Sequence, residues 1–216
     1  MHKYKGAIVA HIGPMFGGKT SGLLADVRKM TIAKYNVALF KPKKDDRYAE
    51  NKVVNHDGES INAINIVTFQ DIIDYVESNP NTNVIAIDEF QFIKNCHDNH
   101  HKDFIAGKIN ASKWKDGILN VDEFVKWIMR NQKALIISGL DLDSELKPFS
   151  NTKDILPYAT HIFKHKAVCV DCGSDATTSY CTINKNSQEL VGGHDIYIPL
   201  CIHCYNKRKN GDKNES

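Results

Sequence analysis

The strongest constraint on this chain is Gly13-Pro14-Met15-Phe16-Gly17-Gly18-Lys19-Thr20, which fits G-x-x-x-x-G-K-[ST], the phosphate-binding loop. Its glycines let successive backbone N–H groups turn inward around phosphate oxygens. Lys19 brings a positive charge to the β/γ-phosphates, and the Thr20 hydroxyl can hold Mg²⁺. Such a loop needs a strand before it and a helix after it. Both are legible: residues 7–10 are a short apolar run, and Leu23, Leu24, Val27 and Met30 recur at helical spacing downstream.

The next 130 residues alternate strand and helix signals. Apolar runs at 37–40, 64–67, 84–87 and 134–137 have strand length, and the third is apolar throughout, as a strand buried on both faces of a parallel sheet should be. Thr68 stands three residues before Asp71, a helix-start pattern followed by an apolar face of Phe69, Ile72, Ile73 and Val76, and Asn79-Pro80 stops that helix. Asn120 and Glu123 start a second helix carrying Val121, Phe124, Val125 and Ile128. Residues 41–48 hold Pro42 and a charge cluster and read as a loop; 55–58 reads as a turn. The expectation is an α/β domain of P-loop NTPase type over residues 1–160, with a mostly parallel sheet and helices on both faces.

Asp88-Glu89 follows the fully apolar strand. Behind a phosphate loop an acid at such a strand end supports Mg²⁺ opposite the loop hydroxyl, which assigns Asp88. Glu89 is then free to take the proton of an acceptor hydroxyl, an effect worth roughly 10²–10⁴ in rate. An isolated Asp-Glu pair is ordinarily a solvated strand end; the upstream loop reverses that reading.

From about residue 161 turn residues and paired cysteines replace the long helices. Cys169-x-x-Cys172 and Cys201-x-x-Cys204 suit tetrahedral Zn²⁺, and such a site folds a lobe too small to hold itself by core burial. A single C-x-x-C reads as a redox motif; two favour structural zinc. A small ribbon-like zinc domain is expected over 161–206, with an excursion between the two pairs and a polar, frayed tail at 207–216. Cys96 and Cys181 read as ordinary free thiols. Net charge is +2 with pI near 8.1, so the whole chain carries no strong field toward nucleic acid or membrane. Neither a secretory-signal pattern nor a run of ~18 apolar residues is present, and the cysteine usage fits a reducing compartment, so a cytoplasmic protein is expected.

The ordered set of the phosphate loop, Lys44-Asp45-Asp46-Arg47-Tyr48, His56-Asp57-Gly58, Asp88-Glu89-Phe90-Gln91-Phe92, Gly139-Leu140-Asp141, Lys147-Pro148-Phe149, Ala167-Val168-Cys169-x-x-Cys172 and Gly192-Gly193-x-Asp195-x-Tyr197 resembles the type II thymidine kinases from about residue 6 to 206. The resemblance implies transfer of the ATP γ-phosphate to the 5′-hydroxyl of thymidine or deoxyuridine in nucleotide salvage. It also implies a lasso loop over about 182–196 and a homotetramer or dimer. By motif position Glu89 is the base, and Lys19, Thr20, Asp88 and Arg47 serve phosphates and Mg²⁺, with Asp45 at the acidic position beside them. Met15, Leu140, Phe149 and Tyr197 wall the base; Leu190 and Val191 read its polar edge, with the Ser179 hydroxyl nearby. ATP, Mg²⁺ and structural Zn²⁺ are the implied small partners, with neither nucleic acid nor membrane.

Two departures from the family pattern stand out. Ser144 replaces an aromatic that packs on the base, so a kinase of another nucleoside is an alternative. Residues 95–120 form a segment much longer than the family's, read as a surface insertion. A P-loop, zinc-containing nucleotide- or nucleic-acid-binding module without enzymatic activity is the further alternative, hinted at only by Lys207-Arg208-Lys209.

Overall fold

The computed structural model describes residues 4–43, 51–54, 58–94, 119–183 and 196–211. Its centre is a six-stranded sheet of β1 (Ile8–Gly13), β2 (Val37–Pro42), β5 (Ile64–Ile66), β6 (Val84–Ile87), β7 (Ala134–Leu140) and β8 (His161–Lys164). The order is β5-β2-β6-β7-β1-β8 and every pairing is parallel, so all six strands end on one edge. A short antiparallel pair, β3 (Lys52–Val54) with β4 (Ser60–Asn62), lies between β2 and β5 in sequence.

Alternation along the strands feeds two cores. On one face Leu39, Val84, Ala86, Ala134 and Ile136 pack with Leu23, Leu24, Val27 and Met30 of α1 (Lys19–Ile32). On the other, Ile8, Ala10, Phe40, Ile85, Ile87 and Ile137 meet α2 (Phe69–Ser78), α3 (Val121–Arg130) and Ile155 of α4 (Ser150–Ile155). Helices thus cover both faces, as expected. Helix starts are set by short polar side chains. Thr68 Oγ1 accepts from Asp71 N while the Asp71 carboxylate accepts from Thr68 N, a complete capping box. Asn120 Oδ1 accepts from Glu123 N at 3.0 Å.

Several elements differ from the sequence reading. β2 continues through Lys41 and Pro42 instead of turning into a loop. β6 reaches only as far as Phe40, and beyond it β2 pairs with β5 alone, where Lys43 N donates to Ile66 O at 2.8 Å, so the missing N–H of Pro42 is tolerated. β7 runs on to Leu140, and β8 adds a strand beyond it in sequence. β8 is an edge strand whose four residues are all exposed, so it carries neither an apolar run nor alternation. α4 is short and begins Ser-Asn-Thr, of which Asn151 and Thr152 are polar residues buried in this setting.

After β8 the chain forms β9 (Ala167–Val168) with β10 (Asp175–Ala176), β11 (Thr178–Cys181) with β12 (Tyr197–Leu200), and α5 (Ile202–Gly211). Residues 207–211, expected as a frayed tail, are the end of α5. Their charges find partners: both Arg208 nitrogens bond the Asp171 carboxylate at 2.8 and 2.5 Å, and Lys209 bonds Glu145 at 2.8 Å. Most of the 95–120 segment, the lasso span from 184 to 195, Cys96 and residues 212–216 lie outside the described residues.

Phe124 is fully buried and stacks on Phe69 with ring centroids 4.8 Å apart. Phe124→Ala is expected to destabilise the protein by about 3–5 kcal/mol, read by denaturant unfolding.

Candidate active site

β1 ends at Gly13, whose φ of +145° excludes other residues and whose absent Cβ would stand 2.5 Å from the His165 carbonyl oxygen. The loop then turns into α1 through Gly18, at φ 82° with no side-chain cap. The first N–H groups of α1 therefore lack the usual side-chain acceptor, the arrangement that receives an anion. Lys19 Nζ lies over the loop and donates to Pro14 O at 2.7 Å. Met15 N donates to Ser179 Oγ at 2.9 Å, which joins the loop to β11.

Asp88 follows β6, and β7 separates β6 from β1 in the sheet. The carboxylate nevertheless meets α1: Thr20 Oγ1 donates to Asp88 Oδ1 at 3.2 Å, and Ser138 Oγ on the intervening β7 donates to the same oxygen. Burial, then the neighbouring Glu89 charge, pushes the Asp88 carboxyl up to about 6, against the pull of the Ser138 and Thr20 hydroxyls and the Glu89 backbone. Glu89 takes a left-handed conformation, φ 52°, as the chain turns off the sheet into a 3-10 turn at Phe90–Phe92. Its Oε2 accepts from Gln91 Nε2 at 2.5 Å, and Gln91 Oε1 accepts from Leu140 N at 3.0 Å.

Leu140 closes β7, and Thr152 Oγ1 of α4 donates to its carbonyl at 2.8 Å. Phe149 N donates to Asp141 O at 3.1 Å, and the Phe149 ring meets Phe92 edge to face at 5.9 Å. Asp141 is itself ion-paired with Lys164 of β8. Ser144 is 2% exposed; its carbonyl accepts from Tyr205 OH at 2.8 Å, and its Oγ has no partner among the described residues. Tyr197 is buried on β12 opposite Cys181.

Behind the loop runs a polar chain with no sequence signature. His11 Nε2 lies 3.0 Å from Asp26 Oδ2, His11 Nδ1 lies 2.9 Å from His165 Nε2, and Lys29 bonds the other Asp26 oxygen at 2.9 Å. Burial, then the proximity of His11 and Lys19, holds the His165 pKa below the ordinary value. These groups tie α1 to the segment entering the cysteine lobe.

The structure therefore brings together the loop, Thr20, Asp88, Glu89 and Leu140 at one sheet edge, with Met15 on Ser179 and Phe149 on Phe92. Asp45, Arg47, Leu190 and Val191 lie outside the described residues. Sequence reasoning missed Ser138 and Gln91 as partners of the two acids. The only available signal was Gln91's place two residues after Glu89.

The sulfurs of Cys169, Cys172, Cys201 and Cys204 all lie within 4.8 Å of one another, a set compatible with a structural zinc. Hydrogen bonds from Ser174 lower the Cys172 thiol to about 6, while burial and the adjacent sulfurs of Cys201 and Cys172 raise Cys204 to about 12. Sulfurs this close to one another suit a cation placed among them.

Comparisons with known proteins point to one family. The thymidine kinase family model matches residues 6–112 and 113–205. The chain is 31% identical over 208 residues to a thymidine kinase of Bacteroides thetaiotaomicron, covering 96% of this chain and 91% of that one. It is 32% identical over 205 residues to the thymidine kinase of Myxoma virus, covering 95% and 99%. With a thymidine kinase of Bacteroides fragilis the identity is 31% over 212 residues, covering 98% and 93%.

The raised Asp88 carboxyl has a thermodynamic consequence. Between its ordinary pKa of 3.8 and about 6 the folded protein retains a proton that the unfolded chain has released. Ligand-free stability is therefore lost as pH rises through that window. Asp88→Asn is expected to stabilise the ligand-free protein by about 1–3 kcal/mol at pH 7.5 and to give no gain at pH 4, read by denaturant unfolding.

Proposed function

Because the chain belongs to the thymidine kinase family, we propose that it transfers the γ-phosphoryl group of ATP to the 5′-hydroxyl of thymidine or deoxyuridine, as a step of nucleotide salvage in the cytoplasm. The observation that carries this reading is the pairing of Thr20 with Asp88 at 3.2 Å, with Glu89 adjacent and held at its carboxylate. One acid is thereby tied to the phosphate loop, and its neighbour is left for the acceptor.

In the proposed reaction the amides at the start of α1 and Lys19 bind the triphosphate, together with Arg47 near Asp45. Glu89 takes the proton of the 5′-hydroxyl, whose oxygen bonds the γ-phosphorus as the bond to the β–γ bridging oxygen breaks and ADP leaves. Mg²⁺, when bound by Thr20 and Asp88, offsets the phosphate charge. Most of the acceleration is positioning and charge stabilisation. Met15, Leu140, Phe149, Ser179, Leu190, Val191 and Tyr197 are proposed to surround the nucleoside, the lasso loop over about 182–196 to close over it, and the chain to act as a homotetramer or dimer. Among the described residues no helix is long and apolar enough to cross a membrane.

A second reading, the same chemistry on another nucleoside, is favoured by Ser144, a buried hydroxyl where the resemblance expects an aromatic. A panel of nucleosides assayed with ATP and Mg²⁺ decides between them. Thymidine should be turned over best; equal or faster turnover of a non-thymine nucleoside would select the second reading. Salt-sensitive nucleic-acid binding with no phosphorylation of any nucleoside would overturn both. Glu89→Gln is expected to keep ATP binding and lose roughly 10²–10⁴ in kcat.

Zinc is proposed to be held by Cys169, Cys172, Cys201 and Cys204, supporting a lobe whose own core is a handful of side chains around Tyr180, Leu200 and Tyr205. Metal analysis should find about one zinc per chain. Its removal by a chelator should expose the backbone amides of β9 to β12 to hydrogen exchange; full retention of protection without metal would remove zinc from the fold.

A further inference from the structure

We propose that Gln91 is the positioning residue of Glu89. Its side-chain amide, oriented by the Leu140 N–H in the space that Gly139 leaves, holds the carboxylate in place for the acceptor hydroxyl. The inference rests on Glu89 being the base.

Three observations carry it. First, the amide has one workable orientation. Leu140 N–H can only donate, so it fixes Oε1 toward β7 at 3.0 Å. The donor Nε2 is then left facing the acceptor Oε2 of Glu89 at 2.5 Å. Second, room for this amide depends on a missing side chain, because a Cβ on Gly139 would stand 2.6 Å from Gln91 Oε1. Gly139 does not take a positive φ, so space and not conformation is what its hydrogen provides. Third, Glu89 sits at φ 52°, a left-handed conformation that a non-glycine residue keeps only where its surroundings hold it. The Gln91 bond contributes to that restraint from a buried side chain, where water competes little.

The consequence is that both acids are referenced to one strand. Ser138 of β7 holds Asp88, and Leu140 of β7 holds Glu89 through Gln91. The interval between the phosphate side and the acceptor side is thereby fixed by residues two apart on a single strand.

Gln91→Glu keeps the shape and the acceptor for Leu140 N–H but offers Glu89 a carboxylate in place of a donor. Gln91→Met removes both bonds, and Gly139→Ala displaces the amide without removing it. Each is made in the parent and in the Glu89→Gln background, with ATP binding and thermal unfolding measured beside kcat and KM. In the parent each Gln91 variant should lower kcat by roughly 10²-fold and leave KM for ATP within about twofold, with Gly139→Ala acting in the same direction. On top of Glu89→Gln the same changes should lower the residual rate by less than about threefold. Turnover of the Gln91 variants within about threefold of the parent, or a full loss repeated in the Glu89→Gln background, overturns the positioning role. Glu89→Gln with undiminished turnover overturns the base itself and its positioning with it, so the two failures are told apart by which variant stays active. If Gln91→Met does not fold, Gln91→Glu and Gly139→Ala carry the same comparison.

Discussion

The bond network around the Asp88 carboxylate is the constraint on which the site depends. In this strand order the acid-bearing β6 and the loop-bearing β1 are not neighbours, because β7 lies between them. Asp88 can reach Thr20 only across the end of β7, and the residue it crosses is Ser138, small enough to pass and polar enough to donate. A larger apolar side chain there would leave a buried carboxylate facing carbon, the situation that costs most in a protein interior. Three elements far apart in sequence, the start of α1, the end of β6 and the end of β7, are thus registered by one charged group.

That registration explains which parts of the protein were legible in the sequence. The phosphate loop, the capping box at Thr68 and Asp71, the Asn120 cap and the apolar faces of α1, α2 and α3 are local patterns, and each was readable from a dozen residues. The four cysteines were readable because their spacing repeats. β8 was not, because an exposed edge strand needs only backbone bonds to β1 and leaves no periodic trace. α4 was hidden by its polar beginning, where Asn151 spends its amide on the carbonyls of Ile93 and Phe90 and Thr152 on that of Leu140. Residues 207–211 looked like a tail because their charges had no visible partners in sequence; Asp171 and Glu145 are 37 and 64 residues away. Ser138 was illegible for the same reason, since its partner Asp88 lies across the sheet, and Gln91's bond to Leu140 was hidden likewise although Glu89 stands only two residues before it.

The cysteine lobe is attached through the site as well as beside it. Ser179 of β11 accepts from the loop amide of Met15, Tyr205 of α5 donates to the Ser144 carbonyl beyond β7, and His165 packs against Gly13 and Gly17 while its ring meets His11. Met15 N–H is engaged by Ser179, whereas Gly18 at the turn into α1 has no side-chain cap. The lobe therefore does more than cover one end of the sheet. It fixes the outer half of the loop.

The charge balance of the ligand-free site points the same way. Asp88 and Glu89 are adjacent carboxylates at a strand end, and burial with that mutual repulsion raises Asp88 to about 6. Lys19 meanwhile rests on the Pro14 carbonyl within its own loop. Hydroxyl donors thus surround Asp88, and Lys19 bonds a loop carbonyl. On the proposed function, a nucleotide with its metal offers each of these groups a stronger partner than the one it has, since charge-assisted bonds exceed neutral ones. Ser138 and Gln91 already fix where the two carboxylates point. Exchange of partners can then proceed by side-chain changes at Lys19 and Thr20, without rearrangement of the sheet edge that carries the acids.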